Sequence, residues 1–211
     1  MAKRPRYDVH PGVADMAEWV STLKAKTGRD LGEWIKHIKK AGPADEARAG
    51  DWLKSEYELG TNTAWWLAER AFAKDLSLAD DDPDRYLALA PGYVEEQYAG
   101  KKAALRPIYE RLHALARGLG KDVRICPCKT MVPVYRSNVI AQIKPSTNTR
   151  VDVGLCLTVL MKAGRKLPAR LIDTGGFKKK DRITHRIPIV IESEVDGFVT
   201  EWAETAYGLN A

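Results

Sequence analysis

The first 78 residues carry hydrophobic side chains at helical spacing. The first apolar stripe follows the three-, four- and seven-residue intervals of one helix face and consists of Val13, Met16, Ala17, Val20 and Leu23. A second stripe follows the pattern Asp30-x-x-Glu33, which is typical of a helix capping box. Further helices are predicted before and after a turn at Gly60. Residues 1–78 are therefore predicted to form a small helical domain.

After residue 120 the pattern changes from helical spacing to alternation. A helix or helix pair is predicted at about 93–118, and a last helix at about 195–207. Between them lie short β-branched segments, predicted as strands at 123–125, 130–136, 139–144, 150–157 and 183–191. Hairpin-length connections imply antiparallel neighbours, so the fold class is predicted as α+β: an N-terminal helical domain and a C-terminal antiparallel sheet flanked by helices.

A polar stretch separates the two parts. It begins with an acidic run around Pro83 and ends at Ala90-Pro91-Gly92. Charged and helix-breaking residues of this kind are typical of solvated chain. We therefore predict a linker at 79–92 and an α+β domain at 93–211, with a long Gly- and Lys-rich loop at 162–181.

Positive charge is concentrated in the second part. The whole chain has a formal net charge of +6, and residues 1–78 are nearly balanced, with 13 basic and 12 acidic side chains. Residues 121–190 instead contain 15 basic and 4 acidic side chains. Such a local excess attracts phosphates, nucleic acid or acidic protein surfaces.

Composition also limits the cellular location. No apolar run approaches the roughly 18 residues needed to span a bilayer. The basic start of the chain is followed by polar residues, unlike a signal peptide. The three cysteines, Cys126, Cys128 and Cys156, form no even-numbered disulfide framework. We expect a cytoplasmic protein with no membrane association.

Two stretches resemble known families. The segments Glu33-Trp34-Ile35, Gly42-Pro43-Ala44-Asp45, Trp52-Leu53-Lys54 and Leu59-Gly60-Thr61-Asn62-Thr63-Ala64-Trp65-Trp66-Leu67 resemble domain of unknown function 4287. The segments Gly120-Lys-Asp-Val, Ile143-Lys144-Pro145-Ser146, Gly154-Leu155, Thr184-His185-Arg186 and the closing Trp202 to Tyr207, together with Lys129, resemble domain of unknown function 5655. The resemblance implies a division into two domains. It implies no catalytic mechanism and no active site.

The basic side chains of the predicted sheet are the main candidates for function. They are Lys129, Arg136, Lys144, Arg150 and Arg186, together with Lys178, Lys179, Lys180 and Arg182 of the long loop. Strand alternation places Lys144, Arg150 and Arg186 opposite the apolar positions of their strands, so several cations can share one sheet face and bind an anion. The alternative is an ordinary solvated face that has no ligand.

His185 lies in phase with the isoleucines of its strand. A buried, hydrogen-bonded histidine is the common explanation of this pattern. The alternative is an acid or base in a pocket, tuned to act near neutral pH. Spacing identifies no Ser, Cys or carboxylate partner for it.

Two neighbouring tryptophans, Trp65 and Trp66, cannot both face inward, because adjacent helical residues are about 100° apart. One of them is available for a protein partner, a second copy of the chain, or the other domain. The surrounding helices also have the outline of a helix-turn-helix. This helix is poor in cations, which favours a structural helical hairpin over a DNA reader.

No cofactor or metal is predicted. Cys126, Cys128, Cys156 and His185 lack the usual C-x₂₋₄-C spacing of a zinc site. The segment Thr174-Gly-Gly-Phe-Lys-Lys-Lys lacks the residue order of a P-loop.

Three functional hypotheses follow. The first is a non-enzymatic binding module whose basic sheet face binds an anionic partner, including nucleic acid. The second is a small-molecule binder or enzyme with a pocket around His185 that uses Lys144, Arg150 and Arg186. The third is a structural or regulatory protein that acts through Trp65 or Trp66. The first agrees best with the charge distribution.

Overall fold

The computed structural model describes residues 4–73 and 81–210 and divides the chain into two compact units. One unit comprises Pro11–Tyr86 and is helical. The other combines the described residues up to His10 with those from Leu87 onward, and it contains the sheet. The helical unit is thus inserted, in chain order, between a short N-terminal segment and the rest of the unit to which that segment belongs.

The helical unit packs five helices around one apolar core. They are α1 (Pro11–Ser21), α2 (Leu23–Thr27), α3 (Leu31–Ala41), α4 (Glu46–Tyr57) and α5 (Thr61–Phe72). The predicted capping box is confirmed: Asp30 accepts a hydrogen bond from the backbone of Glu33, and Glu33 accepts one from the backbone of Asp30, both at 2.8 Å. Trp34, Ile38 and Leu53 are fully buried in the core.

The starts of α4 and α5 are defined by their N-cap residues. Helix α4 begins at Glu46, because the Asp45 side chain accepts the backbone N–H of Arg48 at 3.0 Å and caps the helix. Helix α5 has Gly60 at its N-cap position.

The remaining elements begin before the unit boundary and continue to the end of the chain. The helices are α6 (Pro83–Gln97), α7 (Arg106–Gly118), α8 (Thr158–Lys162) and α9 (Gly197–Leu209), with 3₁₀ turns at Gly100–Leu105 and Glu192–Glu194. The strands are β1 (Arg124–Ile125), β2 (Val132–Tyr135), β3 (Val139–Lys144), β4 (Val151–Leu155), β5 (Ile172–Asp173) and β6 (His185–Ile189).

The six strands form one antiparallel sheet in the order β1-β2-β3-β4-β6-β5. With the helical N-terminal unit, this confirms the α+β class. Strand β3 coincides with its predicted range. The last long strand is shorter than the predicted 183–191, and the predicted loop at 162–181 contains the short edge strand β5.

Much of the expected linker at 79–92 is helical. Residues 79 and 80 lie outside the described residues, whereas the stretch from Pro83 belongs to α6. The Asp82 side chain accepts the backbone N–H of Arg85 at 3.0 Å, and Pro83 occupies the first helical position. An acidic residue followed by proline is therefore a helix start here and not a break in structure.

The N-terminal segment is held by the second unit. Asp8 exchanges hydrogen bonds with Ile125: its backbone N–H donates to the Ile125 carbonyl at 2.9 Å, and its carboxylate accepts from the Ile125 N–H at 2.8 Å. The hydroxyl of Tyr109 on α7 donates to the hydroxyl of Tyr7 at 3.1 Å. Residues 4–10 therefore belong to the sheet-containing unit, although they were predicted to be part of the 1–78 helical domain.

Within residues 4–73 and 81–210, no helix combines the length and the apolar character needed to cross a membrane.

Candidate anion-binding site

The two faces of the sheet have different surroundings. On one face, Val134, Ala141, Ile143 and Val153 line a small interior cavity together with apolar residues of α7 and α9. The opposite face carries the polar positions of the same strands, because successive side chains of a strand alternate between faces. The charged side chains of Lys144, Asp152 and Arg186 lie on this second face.

Two arginines on the polar face converge on one carboxylate. Arg150 Nε lies 3.0 Å from Asp152 Oδ1, and Arg186 Nη1 lies 2.8 Å from the same oxygen. Asp152 is only 8% exposed, and Lys144 is its cross-strand partner. Three of the predicted cations therefore share this face with a single acid, which offsets part of their charge.

A concavity of about 570 Å³ lies beside this face and gathers four lysines. The lysines are Lys101, Lys102, Lys129 and Lys144. The remaining lining residues are Glu96, Gln97, Ala99, Thr130, Pro145, Ser146 and Asn148. None of the four lysines forms an ion pair with a carboxylate from residues 4–73 or 81–210. We call these eleven residues the lysine concavity.

Three chain segments build the lysine concavity, and two long-range contacts hold them together. The side-chain amide of Gln97, at the end of α6, donates to the carbonyls of Cys128 at 2.6 Å and Met131 at 3.4 Å. Those carbonyls flank Lys129 and Thr130, so Gln97 fixes the turn that carries them. Gln97 is 7% exposed, and its Oε1 has no hydrogen-bond partner within the described part of the chain.

The second contact fixes the turn between β3 and β4. Lys102 Nζ donates to the Pro145 carbonyl at 2.7 Å. This bond positions the turn that carries Ser146 and Asn148 while leaving the charge of Lys102 uncompensated. The fold therefore fixes the shape of the concavity. Hydrogen bonds from Gln97 and Lys102, in the α6–α7 connection, hold the two turns that form the rest of its lining.

Other predicted cations lie elsewhere. Arg136 follows β2 at the opposite end of the hairpin from Lys144, its Nε bonds Asp122 at 2.7 Å, and its guanidinium lies 4.3 Å from the Tyr207 ring centroid. At about 3.3 Å per residue, five positions of strand separate the two ends by roughly 16 Å. The loop residues Lys178, Lys179, Lys180 and Arg182 are exposed between β5 and β6 and do not line the concavity.

Sequence reasoning missed Lys101 and Lys102. Both lie in the 3₁₀ turn Gly100–Leu105, within the stretch 93–118 that is predicted as a helix or helix pair. The available signal was Gly100, whose φ of 57° is characteristic of glycine and breaks the helix there.

His185 belongs to the helix-covered face. It pairs with Leu155 across the sheet and is 4% exposed. Its Nδ1 lies 3.1 Å from the Thr184 hydroxyl, and burial lowers its pKa below the ordinary value. A neutral imidazole can pack at this buried position without the cost of burying a charge.

The two tryptophans of α5 have different environments. Trp65 is 38% exposed, and its ring lies against Gly50 of α4. Trp66 packs edge-to-face on Trp19 with ring centroids 5.0 Å apart, and the guanidinium of Arg70 lies 4.8 Å from its ring centroid. Trp65 is therefore the more accessible of the two.

No group of three or more metal-binding side chains converges within the residues that the structure describes. The three cysteines are free thiols. Burial raises the pKa of Cys126 to about 12, so this thiol stays protonated and is a poor metal ligand at neutral pH.

The fold and the site together define a two-part α+β protein with a cation-lined concavity beside its antiparallel sheet. The chain belongs to the family described as Domain of unknown function (DUF5655), whose model matches residues 94–210. A second family model, Domain of unknown function (DUF4287), matches residues 16–71, and the two follow each other in the predicted order. Searches of curated proteins and of solved structures found no match.

Proposed function

We propose that the sheet-containing unit is a binding module for a phosphate-bearing partner, including nucleic acid, and that the lysine concavity is its principal contact. The observation that supports this function is the grouping of four lysines without a paired carboxylate in the described chain. Ammonium groups on separate segments repel one another. A bound anion relieves this repulsion and lowers the electrostatic free energy of a fold that brings them together.

The adjoining sheet face extends the basic surface. Arg150 and Arg186 keep a net positive charge around Asp152, and Lys144 joins this cluster to the concavity. A polyanion bound in the concavity can therefore continue along the face. The alternative pocket around His185 receives less support, because the ring lies on the face that the helices cover.

Binding of an extended polyanion is tested by fluorescence anisotropy with labelled single-stranded RNA, single-stranded DNA and duplex DNA over a range of salt concentrations. Each phosphate contact contributes about 0.7–0.9 to the slope of log K against log salt. We expect the double variant K129A/K144A to bind more weakly and to reduce that slope by about 1.5.

The matched control is K39A/K40A, which removes the same charge from exposed positions on α3 of the helical unit. We expect this variant to bind as the wild type does. The proposal fails in its nucleic-acid form if no probe binds at low salt. It also fails if the two double variants weaken binding equally, because binding would then follow net charge alone.

We also infer a cytoplasmic location. Three free thiols in a chain of this size fit a reducing compartment.

A further inference from the structure

The lysine concavity combines a small volume with a high density of charge. Its volume of about 570 Å³ falls within the roughly 300–1,000 Å³ of sites that enclose small ligands. Four lysines and one glutamate give its lining a net charge of +3. Thr130, Ser146 and Asn148 add neutral donors on the two turns.

Building on the proposed anion-binding function, we propose that the concavity holds two or three directly linked phosphates, as in inorganic pyrophosphate or the di- or triphosphate group of a nucleotide. A single phosphate carries about two negative charges at neutral pH and leaves the lining positive. Each further linked phosphate adds negative charge, so a chain of two or three phosphates compensates more of the charge of the lining than a single phosphate does.

The arrangement of the lysines also fits linked phosphates. Lys101 and Lys102 come from the 3₁₀ turn, Lys129 from the turn before β2, and Lys144 from the end of β3. They therefore enter from separate walls. Lysine binds phosphate as a point charge and imposes no planar geometry, so ammonium groups on several walls can serve oxygens on successive phosphorus atoms.

The side chains of the lining indicate that the concavity does not recognise a nucleobase. None of the eleven lining residues is aromatic, so the concavity has no surface on which a base can stack. Affinity is therefore set by the number of linked phosphates and is independent of the base.

The test is isothermal titration calorimetry of the full chain, at low salt and without divalent cations, using orthophosphate, pyrophosphate, tripolyphosphate, and the mono- and diphosphates of adenosine and guanosine. We expect pyrophosphate, tripolyphosphate and both nucleoside diphosphates to bind at least about tenfold more tightly than orthophosphate and the monophosphates. We expect the two diphosphates to differ by less than about threefold.

The variants K129A/K144A and K39A/K40A separate a site from general attraction. We expect the first to weaken pyrophosphate binding by at least about tenfold and the second to leave it unchanged, with thermal melts showing that both are folded. Equal affinity for orthophosphate and pyrophosphate would overturn the inference, as would a strong preference for one base.

The outcomes also distinguish this inference from the function on which it rests. Nucleic-acid binding that K129A/K144A weakens, without any pyrophosphate binding, leaves the proposed function standing and removes the inference. Absence of both kinds of binding removes both. Where both are observed, pyrophosphate must displace the labelled nucleic acid, since failure to compete would place linked phosphates outside the lysine concavity.

Discussion

Asp8 and Arg117 form an ion pair between the start of the chain and helix α7, with Arg117 Nη1 lying 2.6 Å from Asp8 Oδ2. Their side chains are 17% and 16% exposed. The same carboxylate accepts the backbone N–H of Ile125 at 2.8 Å, so one side chain connects the N-terminal segment with α7 and β1. A partly buried carboxylate that has both an ion-pair partner and a backbone hydrogen bond contributes more to stability than a surface ion pair does.

We therefore expect Asp8→Ala to lower the free energy of unfolding by about 1.5–3 kcal/mol, because the variant leaves Arg117 and the Ile125 N–H without this acceptor. Urea denaturation, followed by a probe in the sheet-containing unit, measures the change. The control is Asp15→Ala, at an exposed position of α1, which is expected to change stability by less than about 0.5 kcal/mol. Equal effects of the two replacements would contradict the role assigned to Asp8.

The assignment of the N-terminal segment shows one limit of sequence reasoning. Residues 4–10 have no periodic pattern, and their partners Tyr109, Arg117 and Ile125 lie more than a hundred positions along the chain. Local propensity contains no information on such pairing. By contrast, the sheet face of β3 was predictable, because alternation depends only on neighbouring residues.

The candidate site was predictable in part for the same reason. Alternation placed Lys144, Arg150 and Arg186 on the polar side of their strands, and the register brings them to one face. The pairing of Arg150 with Asp152, two positions away on that strand, follows from the same rule. The pairing of Arg136 with Asp122 depends on the turn between strands and could not be read from spacing.

Gln97 offers a test of how the lysine concavity is assembled. Gln97→Met removes the two bonds to the turn that carries Lys129 while keeping every charge of the site. We expect weaker binding of a nucleic-acid probe with an unchanged salt slope, since the slope counts ionic contacts. Anisotropy titrations of this variant and of Lys129→Ala, in which the slope falls by about 0.7–0.9, make the comparison.

Stability provides the control for that experiment. The replacement removes two hydrogen bonds but also a buried Oε1 that has no partner in the described chain. These effects oppose each other, so we expect the free energy of unfolding to change by no more than about 1 kcal/mol. Unaltered affinity in a folded Gln97→Met protein would show that the turn keeps its position without Gln97.

His185 is expected to make stability dependent on pH. Burial lowers its pKa below the ordinary 6.5, so the folded protein binds this proton less readily than the unfolded chain does. As the pH falls through 6.5, the unfolded chain takes up more protons and the free energy of unfolding decreases. His185→Gln should reduce this loss, measured by urea denaturation between about pH 7.5 and 5.5.

Lys179→Gln is the matched control, because it replaces an exposed side chain in the loop between β5 and β6 and should leave the pH profile unchanged. A profile of His185→Gln identical to that of the wild type would show that the ring does not govern this dependence. His185→Gln also tests the alternative site around His185. Loss of anion binding by this variant, at unchanged stability, would support a functional role for His185.

Replacement of Gly92 tests whether residues 83–92 form a helix or a flexible linker. Gly92 lies within α6, and a Cβ at this position would meet no atom within 4 Å. Alanine in a helix interior is favoured over glycine by about 1 kcal/mol, so we expect Gly92→Ala to raise the free energy of unfolding by up to that amount.

Gly100→Ala is the opposite case, because the φ of 57° at Gly100 strains any residue with a Cβ, and we expect it to be destabilising by about 1 kcal/mol. Chemical denaturation with circular dichroism detection measures both variants. An unchanged stability of Gly92→Ala, together with a lowered stability of Gly100→Ala, would indicate that residues 83–92 form a flexible connection in solution. The replacement of Gly92 would then alter the folded and unfolded chains alike.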